Sequence, residues 1–161
     1  MIQLFRRILC PIDFSEHSLA ALGVALKVAL QNDAKLYLLN VAPLPAGEAG
    51  FQPVPMDPYP HVGKERQEQL AKLGHELLPA SVRYETLVVS GDPAEQVLST
   101  ARALDADLIV MGTHGRKGFS HLVLGSVAER VVRESQIPVL TAHSKASSKG
   151  EMIPDRQTKS C

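Results

Sequence analysis

Asp107-Leu-Ile-Val-Met-Gly112-Thr-His-Gly115 is an apolar run broken by glycines, and Gly125-Ser126 follows after nine further residues. A continuous apolar run of this length reads as a strand covered on both faces, as in a parallel sheet. The glycines at its end let a ligand come close to the backbone. Gly125-Ser126 then opens a helix, whose first turn offers unpaired N–H groups and a partial positive charge. Strand end, glycines and helix start together are the parts of a phosphate-binding crevice.

The rest of the chain bears on whether that crevice exists. Its 161 residues suit one domain with a sizeable core, and 45% of them are apolar against 21% charged. The 17 basic and 17 acidic residues cancel, so nothing in the charge balance points to nucleic acid or a membrane surface, and an anionic ligand has to be held locally. Cys10 lies in an apolar run and Cys161 is the last residue, with neither metal-ligand spacing nor a disulfide framework. Cys10 reads as a small core residue, with a reactive thiol as the alternative. The apolar stretch after Arg6-Arg7 ends at Asp13, too short for a membrane span or signal core. A cytoplasmic location is expected.

Outward from the opening stretch, strands and helices alternate. Arg7–Ile12 reads as a first strand. Ser15 caps a helix to about Gln31 with Leu19, Leu22, Leu26, Ala29 and Leu30 at helical spacing, and Asn32 is the expected left-handed stop. Lys35–Val41 is a second buried strand. Residues 42–62 hold prolines at 43, 45, 53, 55, 58 and 60 and read as a loop or lid. A helix from about Gly63 to Leu78 and an alternating strand from Val82 to Val89 come next, the alternation suiting an edge with one wetter face. Gly91-Asp-Pro-Ala-Glu95 is a helix start with Asp92 as cap, Pro93 in the first position and Glu95 in the third. Leu108–Met111 is the fourth strand, Ser126 to about Ser135 a helix, and Ile137–Ala142 the last strand, with a polar tail over 144–161 expected to be disordered.

Such alternation predicts an α/β fold, a doubly wound five-stranded parallel sheet in the order 3-2-1-4-5 with helices on both faces, Rossmann-like in kind. Residues 1–143 form the domain. The chain crosses the sheet after its third strand, so strands 1 and 4 flank the switch point and a ligand crevice belongs above their carboxyl ends. Pro11-Ile-Asp13-Phe-Ser15 and Met111-Gly-Thr-His-Gly115 both fall there.

Several familiar chemistries are excluded. The chain has no Gly-x4-Gly-Lys-Ser/Thr phosphate loop, no Gly-x-Gly-x2-Gly after its first strand, no Gly-x-Ser-x-Gly elbow and no His-Glu-x2-His. What remains is Gly112-x2-Gly115-x9-Gly125-Ser126. Each part also has a plainer reading: the glycines make a turn, Ser126 caps its helix through a box with Glu129, and Asp13 caps the first helix beside Ser15. Arg116 and Lys117 are solvated loop charges or phosphate partners. His114 is the one candidate general base in the loop, without a carboxylate placed by sequence to orient it. No carboxylate cluster argues for a dedicated metal site.

With Ser126-Val-Ala-Glu-Arg130 after it, this motif resembles that of the universal stress protein family, in particular its ATP-binding branch. The resemblance spans roughly residues 4–143 and includes Pro11-x-Asp13-x-Ser15, Asn40-Val41 and Gly91-Asp-Pro-Ala94. Asn40 stands where such proteins commonly have His. The resemblance implies that Asp13 and Val41 contact ribose and adenine, and that Gly112, Gly115, Gly125 and Ser126 hold phosphates. Pro11, Met111 and Val127, beside these residues, complete the expected cofactor-binding set, with ATP as ligand and Mg2+ accompanying it. It also implies a homodimer through the last strand, at Val139, Leu140 and Thr141, an apolar edge without a charge to discourage pairing. The expected role is that of a nucleotide-dependent regulator in stress adaptation, acting through further protein partners. The alternatives are a slow ATP hydrolase or phosphotransferase at the same site, and an interaction module without nucleotide.

Overall fold

The computed structural model describes residues 4–42, 60–114 and 124–144. Five strands and four helices alternate along them: β1 (Arg7–Pro11), α1 (Glu16–Asn32), β2 (Lys35–Ala42), α2 (Pro60–Leu77), β3 (Tyr84–Ser90), α3 (Pro93–Ala103), β4 (Leu108–Gly112), α4 (Ser126–Glu134) and β5 (Val139–Ala142). All pairings are parallel and the order is β3-β2-β1-β4-β5, as the alternation predicts.

Side chains of successive strand residues leave the sheet on opposite faces, so the central strands feed two cores. Ile8, Cys10, Leu36, Leu38, Leu108 and Val110 pack with Ala21, Leu22, Ala25 and Ala29 of α1 and Leu70 of α2. Leu9, Leu39, Ile109 and Met111 pack with Val97, Leu98 and Ala101 of α3 and with Ala128 and Val131 of α4. Each large aliphatic side chain fully buried this way contributes about 1.5–3 kcal/mol. Burial also pushes the Cys10 thiol up to about 12. Cys10 therefore carries no thiolate at neutral pH and belongs to the core rather than to chemistry.

Local differences from the sequence reading have identifiable causes. Ser15 caps α1, its side chain accepting from Ser18 N–H at 3.2 Å. The left-handed stop falls on Asp33 (φ 49°), one residue beyond Asn32. Asn32 stays helical because its amide donates to Val28 O (2.9 Å) and accepts from Leu4 N–H (3.2 Å). Of the leucines expected on the inner stripe of α1, Leu19 and Leu30 are exposed; small residues, Ser18, Ala21 and Ala25, take the buried positions and let the helix lie close to the sheet. α2 begins at Pro60, where a proline fits the first turn. Ala42 and Pro60 thus belong to β2 and α2, and 43–59 lie outside the described residues, as do 145–161 of the expected tail.

β3 starts at Tyr84 because Val82 is held in a turn, its N–H donating to Pro79 O at 2.9 Å, while its side chain is buried. The strand is an edge, but it has no distinctly wetter face: Tyr84 and Val88 pack on one core, Leu87 and Val89 on the other. β5 starts at Val139 because Ser135 and Ile137 close a turn; Pro138, with no N–H to give, contributes its carbonyl to Ile109 N–H at 2.9 Å.

Candidate functional site

The switch point of the sheet lies between β1 and β4. β1 pairs with β4 at Ile8–Leu108 and Leu9–Ile109, whereas its pairing with β2 runs on to Pro11–Leu39. Ile12 N–H continues toward Leu39 O at 2.7 Å, so beyond Leu9 the first strand follows β2 rather than β4. Pro11, Ile12 and Asp13 border one side. Met111, Gly112 and Thr113 border the other.

On the β1 side, Asp13 Oδ1 accepts from Ser15 N–H at 3.0 Å. This bond closes a tight turn in which Phe14 adopts a left-handed φ of 65°, unusual for a bulky residue. Asp13 therefore shapes the approach to α1 while Ser15 supplies the cap itself. Asn40, 1% exposed, ties the neighbouring strand to the same rim: its amide donates to Ile12 O at 2.6 Å and its oxygen accepts from Arg66 of α2 at 2.9 Å. Val41, one residue on, is half-buried and pairs with Val89.

On the β4 side, the two halves of the glycine motif meet. Gly125 N–H donates to Thr113 O at 2.7 Å, which brings the start of α4 against the end of β4. Gly115, Arg116 and Lys117 lie outside the described residues. Gly112 has a packing reason to be glycine: a Cβ there would lie 2.7 Å from the carbonyl carbon and 2.8 Å from the oxygen of His17. The first turn of α1 crosses β4 at backbone distance.

The capping box expected at α4 does not form. Gly125 is the N-cap, with extended torsions (φ −72°, ψ 158°) and no side-chain cap bond, and Glu129 N–H donates to Gly125 O at 2.8 Å. Ser126 is the first helical residue and is exposed; Val127 is half-buried and Met111 buried. Glu129 pairs instead with Arg133 at 2.8 Å. A serine inside the helix cannot fold back onto the third N–H, so among the described residues no side chain caps the start of α4. The box expected at α3 is present in its first half: Asp92 Oδ1 accepts from Glu95 N–H at 3.0 Å, and the same oxygen accepts from Arg130 of α4 at 2.7 Å.

One group at this rim is not legible in the sequence. His17 at the start of α1, His114 after β4 and His143 after β5 bring their rings to centroid distances of 5.2, 5.1 and 5.9 Å. The buried Thr113 hydroxyl lies between two of them, 3.1 Å from His114 Nδ1 and 3.0 Å from His143 Nδ1. No spacing announces residues 97 and 29 positions apart. Their only common signal is topological, since the start of α1 and the ends of β4 and β5 share one edge of a parallel sheet.

Fold and site together define a doubly wound α/β domain with its switch point between β1 and β4, a glycine at backbone contact and a helix start without a side-chain cap bond. The chain belongs to the universal stress protein family, whose model matches residues 4–143. It is 35% identical over 143 residues to universal stress protein MJ0531 of Methanocaldococcus jannaschii, covering 85% of this chain and 81% of that one. The solved structure of MJ0577 from the same organism superposes with a TM-score of 0.74 at 25% identity, covering 89% and 99% of the two chains. A universal stress protein crystallised in complex with cAMP superposes with a TM-score of 0.65 at 23% identity, covering 87% and 98%. No helix among the described residues is long and apolar enough to cross a membrane.

Proposed function

We propose that this protein is an ATP-binding regulator in stress adaptation, with the nucleotide held in the cleft between β1 and β4 and Mg2+ carried by its phosphates. The observation that supports this most directly is the 2.7 Å bond from Gly125 N–H to Thr113 O, which joins both halves of the glycine motif at the mouth of the cleft. Phosphates fit the β4 side, where the uncapped first turn of α4 supplies N–H donors and dipole. Ser126, exposed in that turn, adds a hydroxyl, and Gly115 is assigned to the phosphates with it. Asp13 suits the sugar end: a carboxylate beside a triphosphate repels it, while ribose hydroxyls donate to it. Val41, Pro11, Met111 and Val127 are the apolar neighbours of the base and sugar. The cAMP complex of a protein with the same fold agrees in ligand class.

The test begins with protein purified without added nucleotide. Denatured, it is expected to release an adenine nucleotide identifiable by mass, or, if isolated empty, to bind Mg-ATP in calorimetry. Failure of both overturns the reading. In single turnover the bound ATP is expected to be hydrolysed little faster than free ATP, as befits a regulator rather than a hydrolase.

The assembly we propose is a homodimer through β5. This strand closes one side of the sheet, and Leu140 is 40% exposed on it, with Val139 half-buried and Thr141 exposed. A strand edge with exposed apolar side chains and no charge suits pairing with its own copy about a two-fold axis. Leu140→Lys is expected to convert the dimer to monomer in light scattering after sizing, since it puts two like charges at the axis. A dimer that persists in this variant would locate the interface elsewhere.

A further inference from the structure

We infer that His17, His114 and His143 form a binding site for a divalent late transition-metal ion, of which Zn2+ is the type. The three residues come from three different elements, and one ring nitrogen from each lies within 4.8 Å of the other two. Zn–N bonds of about 2.0–2.1 Å set tetrahedral ligand nitrogens about 3.3 Å apart, so the rings need only draw together around the ion. Neutral imidazole suits Zn, Cu, Ni and Co, whereas Mg2+ and Ca2+ require oxygen donors. The site is therefore chemically separate from any Mg2+ held by nucleotide phosphates.

Thr113 provides the outer support that metal-bound imidazoles need. Its oxygen has two lone pairs and stands 3.1 and 3.0 Å from the Nδ1 atoms of His114 and His143. With both rings carrying hydrogen on Nδ1, that one oxygen accepts from each, and Nε2 is then the ring nitrogen with the lone pair a metal takes. Thr113 is itself fixed, buried at 8% exposure, with its N–H on Ala142 O at 3.0 Å and its carbonyl on Gly125 N–H. His17 Nδ1 accepts the N–H of Ser144 at 3.3 Å, and a metal at either nitrogen of that ring displaces only this long bond. Three histidines leave one tetrahedral position open for water or an anionic ligand. Occupied, the site ties the start of α1 to the residues that follow β4 and β5, His114 and His143.

The test uses the full-length, untagged protein, stripped with chelator and free of nucleotide, so that failure of the nucleotide reading does not bear on it. Titration of Zn2+ against a chromophoric chelator is expected to show one tight equivalent. His17→Gln and His143→Gln should each weaken it at least about 10-fold, and Thr113→Val should weaken it by a similar order through loss of the outer support. His75→Gln, in the last turn of α2, should leave it unchanged. Co2+ substituted for Zn2+ should give the visible bands of a four-coordinate nitrogen site, lost in His17→Gln. Absence of a tight equivalent, or equal affinity in wild type, His17→Gln and His143→Gln, overturns the site. His143 is exposed, so its variant folds and keeps the titration decisive even where another variant does not.

Discussion

Gly125→Val is expected to abolish ATP binding and leave the fold in place. The torsions at Gly125, φ −72° and ψ 158°, are open to any residue, so valine imposes no backbone strain. It is a poorer N-cap than glycine, at a cost on the order of 1 kcal/mol, a few degrees in melting temperature. Its side chain, however, would stand where phosphate oxygens approach the first amides of α4. Hydrogen bonds to charged groups are worth about 1.5–3 kcal/mol each, and losing two lowers affinity by roughly 100-fold or more. Calorimetry with Mg-ATP and a thermal melt on the same sample separate the two effects. Unchanged affinity in a folded variant would remove α4 from the phosphate site.

The second large effect is on stability. Gly112→Ala is expected to lower the melting temperature by roughly 5–10 °C, because the added methyl meets the backbone of His17 rather than a movable side chain. The contact distances of 2.7 and 2.8 Å are shorter than carbon allows, and neither partner is free to turn away. Overpacking of this kind costs about 1–3 kcal/mol, and a chain of this size loses about 2–4 °C per kcal/mol. The variant also pushes α1 away from β4, so a weaker Zn2+ affinity is expected alongside the lower melting temperature. A wild-type melting curve would mean that the first turn of α1 does not cross β4 at backbone distance. Gly112 thus owes its identity to helix packing, and Gly125, whose torsions require no glycine, is the position at which ligand access is the better reason.

The sheet order was readable from the chain because it follows from few facts: apolar runs at strand length and helical spacing between them. Parallel crossovers leave few other ways to bury those surfaces. Caps written as a local pattern held where one side chain and one nearby N–H decide them, as at Ser15 and Asp92. At Ser126 the same pattern misled. The local sequence fits a box with Glu129, but the helix begins one residue earlier, because Gly125 is drawn to Thr113 and its carbonyl takes the Glu129 N–H. The leucine stripe of α1 misled similarly: spacing identifies a face, but close approach to the sheet favours Ser18, Ala21 and Ala25 over Leu19 and Leu30.

The sequence alone therefore determined the fold class and the strand order, since these rest on periodicity and on contacts between neighbours in the chain. Only the tertiary structure decided what Gly112 is for, that α4 begins uncapped, that Asn40 bridges Ile12 and Arg66, and that three histidines share one rim. Each of these depends on distances between segments far apart in sequence. Such distances are set by the packing of helices on the sheet, and no local pattern of residues records them.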